Sequence, residues 1–482
     1  MSGSPEGIYE PGIVDPGLPV PHPTKSFWLS SLHQLANHQS PWPTHTVDVA
    51  IIGSGITGTN IARTLLQKQP NLRIVVLEAR SLCSGATGRN GGHIKTMSFA
   101  SWEERKATYG IEEAVRITEF EHSHLDALER AARENAIDCE LVRTEGVDAY
   151  FDQATFDRAC AALEDMRAHA PQLAAKYTVY TDPDRLHRVM KLSPRCVGAI
   201  GVPAASVWPY KLVTGLMARM IESGKLNVQT HTTVTSIDDD DDDNSPDFAA
   251  VHTTRGTIRA RRVVHATNGW LGHLLPELRP FVSPVRGNVV RYAPSSSSSS
   301  DSTSASPFAL SPSFSLWLRY AAHDYDYLIQ RAADNSIVVG RANTGRRATG
   351  DDSQTDLVPM AHLRGFAGEV LAAPASSPAA AAAATIDHAW SGILAFVQDA
   401  SPFIGPLPGG RRQRQRQWVC GAYNGVGMVR AFRAAEMVAG MLVDEEELAD
   451  EYPRSMLVTE ERLGRLKASL EECGAGLEKP RL

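Results

Sequence analysis

Cysteine is scarce in this sequence, and the few cysteines present do not form a recognisable cluster. The 482 residues contain six cysteines, with no CxxC pair and no histidines at the spacing of metal ligands. A zinc module or a disulfide scaffold is therefore excluded as the basis of the fold. We expect reduced thiols in an intracellular protein and no bound metal.

Long apolar runs and an excess of positive charge are also lacking. No apolar run approaches the ~20 residues that a membrane-spanning helix needs, and the acidic, proline-rich N-terminus lacks the basic and apolar regions of a signal peptide. The net charge of −7 and the pI near 6.2 argue against a general binder of nucleic acid or of anionic membranes. We expect a cytoplasmic protein. The terminal Pro480-Arg481-Leu482 is similar to the peroxisomal signal SKL and makes the peroxisome the alternative.

The chain is long enough for two or more packed units, and its composition changes along its length. Residues 1–44 hold many prolines and are predicted to form an extended arm. Residues 102–135 and 155–168 have few helix breakers and are predicted to be helical. Tracts of aspartate (238–243), serine (295–306) and alanine (379–384) indicate surface insertions. The aspartate tract separates two alternating segments, as the tip of a hairpin would.

A dinucleotide-binding fingerprint follows the apolar run VDVAII. Residues 53–58 read GSGITG and lead into the helix-compatible NIARTLLQKQ and then the strand RIVVL, which ends at Glu78. Gly53 would permit a tight turn, Gly55 would let the backbone approach a pyrophosphate, and Gly58 would let helix and strand pack closely. Glu78 can accept hydrogen bonds from ribose hydroxyls. This order predicts a Rossmann-like domain that binds NAD or FAD.

The glycine-rich stretch EARSLCSGATGRNGGH, residues 78–93, favours FAD over NAD. In a nicotinamide enzyme the second strand usually leads into another helix, whereas here it leads into bare backbone. Such backbone suits a flat ring system that passes close to the main chain. His93, at the end of this stretch, would then lie toward the reacting ring.

At these residues the chain resembles the D-amino-acid-oxidase-like family of FAD-dependent oxidoreductases. This family includes glycine and sarcosine oxidases, D-amino-acid dehydrogenases and γ-glutamylputrescine oxidases, and SGATGRNGGH is most similar to the last group. Further segments agree in the family's order: VTSI at 234–237 with GTIRARRVVHATNGW at 256–270, PVRGNVVRY at 284–292, and WSGI at 390–393 followed by VCGAYNGVGMVRAFRAAEMVAGML at 419–442.

The resemblance implies an α/β and α+β architecture. We expect an FAD-binding Rossmann-like domain of the GxGxxG type, formed by residues 45–105, 200–275 and 385–445. A second, mixed-sheet substrate domain would comprise residues 106–199 and 276–384, and residues 446–482 would form a helical tail.

The resemblance also implies a cofactor site, with FAD bound non-covalently. Some sarcosine oxidases attach FAD through a cysteine in the segment that matches WSGILAFVQD, and this chain has none there. The predicted FAD-contacting residues are Gly53, Gly55, Ile56, Thr57, Gly58, Glu78, Ala79, Arg80, Gly85, Ala86, Thr87, Arg89, Asn90, Gly91, Gly92, Val234, Ala266, Thr267, Gly269, Gly425, Gly427 and Met428.

The family chemistry implies hydride transfer to flavin N5 from a carbon that bears an amine. Water then hydrolyses the imine, and oxygen or another acceptor reoxidises the flavin. The expected partner is a small amine or amino acid, with no nucleic acid. The catalytic candidates are His93 and Arg430, which follows the C-terminal glycine loop near the place where relatives hold a substrate carboxylate with a lysine.

The sequence leaves alternatives open for the roles of several residues and for the function. Arg89 is as consistent with a structural role in its loop as with substrate positioning, and Arg341 is a further candidate for carboxylate recognition. Asp399 is expected to stabilise its own turn, and Tyr325 and Tyr327, on a predicted hairpin, could wall a pocket. A nicotinamide-dependent dehydrogenase and a flavin-binding protein without catalysis are the alternative functions.

Overall fold

The computed structural model describes most of the chain. The described residues are 15–97, 99–239, 248–294, 308, 310–321, 324–341, 348–372, 384–409, 416–443 and 449–472. The expectations for most of the aspartate tract, for the serine tract, for nearly all of the alanine tract and for the C-terminal tripeptide lie outside these residues.

The strands of the described residues form one eight-stranded and one nine-stranded sheet. In chain order they are β1 Val47–Ile52, β2 Ile74–Leu77, β3 His93–Ile94, β4 Val142–Tyr150, β5 Thr178–Tyr180, β6 Gly198–Ser206, β7 Leu226–Gln229, β8 Val234–Asp238, β9 Ala249–Thr253, β10 Gly256–His265, β11 Val282–Tyr292, β12 Phe314–Ala321, β13 Asp324–Gln330, β14 Ile337–Arg341, β15 Ile386–Val397, β16 Phe403–Pro406 and β17 Gln417–Gly421.

Helices pack against these sheets. Those of eight or more residues in the described part of the chain are α1 Ile56–Lys68, α2 Trp102–Tyr109, α3 Ile111–Glu134, α4 Gln153–His169, α5 Pro209–Glu222, α6 Leu357–Gly365, α7 Ala431–Val443 and α8 Glu460–Glu472. Shorter helices or helical turns include Phe27–Leu29, Ala86–Arg89, Pro171–Ala174, Leu271–Leu274, Ala367–Val370 and Gly427–Val429. Every described helix is too short or too polar to cross a bilayer.

The first sheet has the strand order of a Rossmann-like core, β16-β17-β10-β1-β2-β7. Strand β1 lies parallel to both β2 and β10, and β2 lies parallel to β7. All four residues of β2 are buried, as expected of a parallel strand that is covered on both faces. The predicted unit of strand, helix and strand is confirmed as β1, α1 and β2.

The second sheet is mixed and has the order β15-β11-β14-β13-β12-β4-β6-β3, with β5 paired to β6. At one edge of this sheet, a long pair joins β11 to β15 in antiparallel register from Val282 opposite Val397 to Tyr292 opposite Ile386. Every residue of β11 is buried. The expected fold class, a Rossmann-like domain beside a second mixed-sheet unit, is confirmed.

Three strands lie in a different sheet from the one that the expected domain limits imply. β3, β6 and β15 belong to the second sheet, although residues 45–105, 200–275 and 385–445 were assigned to the first domain. The reason is strand pairing: β6 pairs with β4 over nine positions, and β15 pairs with β11. These partners are distant in sequence, so local pattern does not reveal them. The domain limits themselves stay predictions.

Other expectations about single elements can be compared with the structure. The hairpin around the aspartate tract is confirmed, since β8 pairs antiparallel with β9. The helical region at 102–135 is interrupted at Gly110, whose φ of +82° ends α2 before α3 begins. Helix α7 packs on α1, and the amide of Asn60 donates to the carbonyl of Phe432 at 2.7 Å.

His124 on α3 is fully buried between these helices. Its Nδ1 lies 2.8 Å from the carbonyl oxygen of Phe120, and its Nε2 accepts from the backbone N–H of Arg433 at 3.1 Å. A carbonyl can only accept, so Nδ1 carries a proton and donates it. Because Nε2 accepts, it carries no proton, and the ring is therefore neutral. Burial lowers the pKa of His124 to about 4. Protonation of Nε2 would remove the acceptor for Arg433.

We expect acid to destabilise the protein through this histidine. The folded pKa lies below the unfolded value near 6.5, so the unfolded chain binds the extra proton first. The free energy of unfolding should fall as pH decreases from about 6.5 to about 4, by up to about 1.4 kcal/mol per pH unit. His124→Gln should flatten this dependence in urea unfolding at pH 7.5, 6 and 5. The same substitution at the exposed His169 should leave it unchanged. Equal slopes in wild type and His124→Gln would contradict the prediction.

Candidate functional site

A cavity of about 240 Å³ lies between the two sheets. One wall is formed by the carboxyl ends of β1 and β2 and by the first turn of α1. The opposite wall is formed by residues of the second sheet, among them Trp317, Tyr325 and Tyr327. The cavity therefore extends from the fingerprint to the aromatic face of the second sheet.

Most of the residues predicted to bind the cofactor line this cavity. They are Gly53, Gly55, Ile56, Thr57, Glu78, Ala79, Arg80, Gly85, Ala86, Thr87, Arg89, Asn90, Gly91, Val234, Ala266, Thr267, Gly425, Gly427 and Met428. His93 lines it as well. Gly58, Gly92, Gly269 and Arg430 are not among the lining residues. Contact of the lining residues with a cofactor stays a prediction.

The fingerprint glycines are required by close backbone packing. Gly53 has a φ of +110°, and a Cβ there would lie 2.7 Å from the carbonyl oxygen of Ala266 at the end of β10. A Cβ at Gly55 would lie 2.9 Å from Thr87 Oγ1, and one at Gly58 would overlap the carbonyl of Gly53. Gly58 thus serves the contact between α1 and β1 rather than the cavity wall. Together they hold the N-terminus of α1 against the sheet, where its amides and dipole favour a phosphate.

Glu78 ties the fingerprint to the end of β2. One carboxylate oxygen accepts from the hydroxyl of Ser54 at 2.6 Å and from its backbone N–H at 3.2 Å. The other accepts from the backbone N–H of Arg80 at 2.9 Å. The side chain is half-buried and lines the cavity, so it retains lone pairs that can accept from hydroxyl donors.

Packing against other parts of the protein explains two glycines of the glycine-rich stretch, and the sequence did not suggest this reason. A Cβ at Gly91 would overlap the ring of Tyr327. Gly92 has a φ of +70°, and its Cβ would lie 2.7 Å from the carbonyl of Val207 and 2.9 Å from the ring of Trp28. By contrast, no atom lies within 4 Å of a Cβ at Gly85. Gly91 and Gly92 are thus needed to fit neighbouring side chains and backbone of the protein itself.

Arg80 and Arg89 are joined by one buried carboxylate, that of Asp352. Arg80 Nη1 lies 3.0 Å from Asp352 Oδ1, and Arg89 Nε lies 3.4 Å from Asp352 Oδ2. Arg89 also donates to the carbonyls of Ser84 at 2.8 Å and Ser391 at 2.9 Å. Burial lowers the pKa of Arg89 to about 10. Of the two roles left open for Arg89, these contacts favour the structural one.

His93 lines the cavity, and only one of its two ring nitrogens has a hydrogen-bond partner among the described residues. Its Nδ1 accepts from the indole N–H of Trp317 at 3.0 Å, so the proton of the neutral ring is on Nε2. Nε2 is buried and has no hydrogen-bond partner among the described residues. Burial and then the charge of Lys95 hold the pKa of His93 well below its usual value. His93 is thus a neutral hydrogen-bond donor.

The C-terminal glycine loop is pinned to the second sheet. Asn424 and Gly425 have φ angles of +55° and +76°. The Asn424 side-chain oxygen accepts from the backbone N–H of Val397 at 2.7 Å. A short turn at Gly427–Val429 precedes α7, which begins at Ala431. The expected glycine loop before a helix is present, with one intervening turn.

Arg430 and Arg341 do not line this cavity. Arg430 lines a smaller neighbouring cavity, and its Nη2 lies 2.9 Å from Glu121 Oε1. Its position after the glycine loop is as expected, but the side chain turns toward α3 because Glu121 is buried there. Arg341 forms ion pairs with Asp324 and Asp326 and lines neither cavity. Asp399 accepts from the backbone N–H of Ser401, as expected for a turn.

Sequence reasoning missed several residues of the wall. Lys95 lines the cavity and lies two positions after His93, and in extended chain such residues share a face. Trp317 gave no signal beyond its aromaticity. Leu18 of the N-terminal arm also lines the cavity, and Trp28 of the arm donates to the carbonyl of Asn90 at 2.6 Å. The predicted arm is therefore part of the site.

Comparisons with known proteins agree on one family. Residues 48–441 match the family model described as FAD dependent oxidoreductase. The chain is 26% identical over 412 residues to the probable oxidoreductase OrdL of Rhizobium meliloti, covering 84% of each protein. It is 24% identical over 439 residues to γ-glutamylputrescine oxidoreductase of Escherichia coli, covering 89% of this chain and 91% of that protein. The structure is similar to glycine oxidase from Geobacillus kaustophilus, with a TM-score of 0.65, 19% identity and coverage of 86% and 99%.

The polar groups of the cavity fit an FAD molecule. Buried polar atoms without a partner in the described residues include Thr267 Oγ1, Trp270 Nε1 and His93 Nε2, and all three residues line the cavity. The indole and the imidazole nitrogen can only donate here, so a ligand with acceptor atoms satisfies them. The fingerprint cradle and Glu78 suit a pyrophosphate and a ribose. The residues present therefore fit the group that the family model names.

We expect Glu78→Ala to weaken FAD binding. The carboxylate can accept charge-assisted hydrogen bonds from the ribose, and their loss should raise the Kd by about 10- to 100-fold. Titration of the apoprotein with FAD, followed by flavin fluorescence, measures the change. Glu103→Ala, at an exposed position on α2, is the control and should keep the wild-type Kd. An unchanged Kd in Glu78→Ala would exclude this role.

We expect Gly91→Ala to destabilise the fold by about 1–3 kcal/mol, because the new methyl group would overlap Tyr327. Gly85→Ala, in the same loop and with free space around its Cβ, should be nearly neutral. Replacing Tyr327 by Val should relieve most of the cost, so that the two substitutions are not additive. Urea unfolding of the four variants tests this. Additive effects would show that Tyr327 is not the obstacle.

Proposed function

Because the chain belongs to the FAD-dependent oxidoreductase family, we propose that it oxidises the C–N bond of an amine or amino acid, with oxygen as the final acceptor. FAD bound at the fingerprint would supply the hydride acceptor, and water would hydrolyse the imine product. The names of relatives support an amine or amino-acid substrate: one acts on γ-glutamylputrescine and another is a glycine oxidase. The family assignment names FAD as the cofactor, so the hypothesis of a nicotinamide-dependent dehydrogenase is set aside.

The observation that carries the proposal is the neutral His93, whose Nε2–H has no hydrogen-bond partner among the described residues, beside an aromatic wall. Its Nε2–H can hydrogen-bond an acceptor atom on a molecule held between the fingerprint side and the second sheet. Trp317 and Tyr325 stack with ring centroids 5.0 Å apart and an interplanar angle of 10°. Such an apolar wall excludes water and favours the neutral amine, which is the form that can lose a hydride.

We further propose that the cofactor is held without a covalent bond through cysteine. The described cysteines are Cys83, Cys139, Cys160, Cys196 and Cys420, and none of them is among the residues that line the cavity. Burial raises the pKa of the Cys83 thiol well above its usual value, which disfavours the nucleophilic thiolate. We propose a cytoplasmic location, with the peroxisome as the alternative.

The proposal predicts a yellow protein whose visible flavin spectrum is bleached by an amine under anaerobic conditions. A panel of primary amines, N-methyl amino acids and both enantiomers of common amino acids provides the screen, and admission of oxygen should restore the spectrum. A protein that binds FAD but is bleached by no member would instead support a flavin-binding protein without catalysis. A colourless protein that takes up no FAD would overturn the proposal.

Two variants of His93 sharpen this experiment. His93→Asn keeps an acceptor near Nδ1 for Trp317 but removes the Nε2 donor, whereas His93→Gln keeps a donor near Nε2 and loses the acceptor. We expect anaerobic bleaching to slow at least about tenfold in His93→Asn and less in His93→Gln. Equal rates in wild type and His93→Asn would remove His93 from the chemistry.

A further inference from the structure

A second, smaller cavity adjoins the first. Its volume is about 110 Å³, and Tyr325 and Val426 line both cavities. Three arginines line it from different parts of the fold: Arg105 from α2, Arg319 from β12 and Arg430 from the segment before α7. All three are at least nine-tenths buried. The chain has therefore placed three buried arginines around a space that adjoins the proposed reaction site.

These cations outnumber the carboxylates that neutralise them. Glu121 is shared by Arg105, at 2.6 Å, and by Arg430, at 2.9 Å. Asp148 is likewise shared by Lys95 and by Arg319, whose Nε donates to it at 2.8 Å. The three arginines of the smaller cavity, together with Lys95 of the main cavity, thus share two buried carboxylates.

Other acids at the cavity do not remove the excess. Asp399 lines the cavity but is engaged by Arg462, whose Nε donates to it at 2.8 Å. Glu104 lines the cavity from an exposed position, and its charge interacts with that of Arg105. Burial lowers the pKa of Lys95 to about 8, although Asp148 acts to raise it, and the charge of Arg319 contributes further to the lowering. Unpaired charge is costly in the protein interior unless a ligand of opposite charge compensates it.

Arg319 supplies an unused donor for such a ligand. Its side chain is 3% exposed, and Nη2 has no hydrogen-bond partner among the described residues. A guanidinium remains charged in a protein, so it cannot relieve this cost by losing a proton. Its planar fork suits a carboxylate, which accepts two parallel hydrogen bonds.

We propose that the smaller cavity binds a carboxylate of the substrate that lies several bonds away from the oxidised C–N bond, with Arg319 as its donor. The inference rests on the proposed function for its substrate, and it narrows that substrate to an amine with a remote anionic group. The amine end would occupy the main cavity beside His93. The chain of the substrate would pass Tyr325 and Val426 to reach Arg319.

A binding experiment tests the subsite without turnover. Calorimetry on the purified holoenzyme would compare glutarate and adipate with their neutral amides, glutaramide and adipamide. We expect each carboxylate to bind at least about tenfold more tightly than its amide. Equal binding of acids and amides, or no binding of any acid, would overturn the proposal. Inorganic phosphate or chloride binding as tightly as the carboxylates would also overturn it, because the cavity would then be a general anion site.

Variants show whether Arg319 is responsible. Arg319→Lys keeps a positive charge beside Asp148 but loses the planar fork, and it should weaken glutarate binding at least about tenfold. Arg341→Lys is the matched control, since Arg341 lies in the same sheet, forms ion pairs and lines neither cavity. It should bind glutarate as the wild type does. The unfolding temperature of each variant verifies that it folds, and undiminished binding in a folded Arg319→Lys protein would contradict the proposal.

Anaerobic bleaching separates this inference from the proposed function. 5-Aminopentanoate and 6-aminohexanoate would be compared with pentylamine and hexylamine, and each acid should bleach the wild type at a lower concentration than its amine. Arg319→Lys should abolish that preference. If amines bleach the flavin but acids have no advantage, the subsite fails and the proposed function stands. If Arg319 binds glutarate but no amine bleaches the flavin, the proposed function fails and the assignment of the bound carboxylate to the substrate fails with it.

Discussion

The buried carboxylate of Asp352 is the contact on which the geometry of the site depends. It forms ion pairs with Arg80, which follows β2, and with Arg89 of the glycine-rich stretch. The backbone carbonyl of the same residue accepts from the backbone N–H of Thr24 in the N-terminal arm at 2.8 Å. Two segments, the glycine-rich stretch and the N-terminal arm, therefore converge on one residue between β14 and β15. Movement of Asp352 would take the carboxylate away from two buried arginines at once, so its segment is held against the glycine-rich stretch.

The same arrangement occurs three times around the two cavities. Asp352, Glu121 and Asp148 are each shared by two cations, all of them buried or nearly so. The whole chain carries a net charge of −7, so positive charge is concentrated inside the site while the rest of the protein is acidic. This distribution suits a cofactor with a negatively charged pyrophosphate, and it also suits an anionic substrate. The low dielectric of the interior strengthens both attractions.

Much of the cofactor half could be predicted from sequence, because its physics is local. A tight turn, a helix N-terminus and an acid at the end of the next strand lie within thirty residues, so their spacing alone brings them together. The glycine-rich stretch was identified for the same reason. The purpose of Gly91 and Gly92 was not, since the atoms that exclude a side chain belong to Tyr327, Val207 and Trp28. These residues are distant in sequence and carry no motif.

What the sequence determined by itself was the Rossmann-like unit, the FAD fingerprint and the presence of a second mixed sheet. Only the tertiary structure decided where the charged side chains point. Arg430 stands where the motif predicted but pairs with Glu121, and Lys95, Asp148 and Arg319 meet from three distant segments. The physical reason is that backbone turns and helix starts depend on neighbouring residues. A buried ion pair depends on which strands and helices pack together, and that is settled only when the two sheets enclose the cavity.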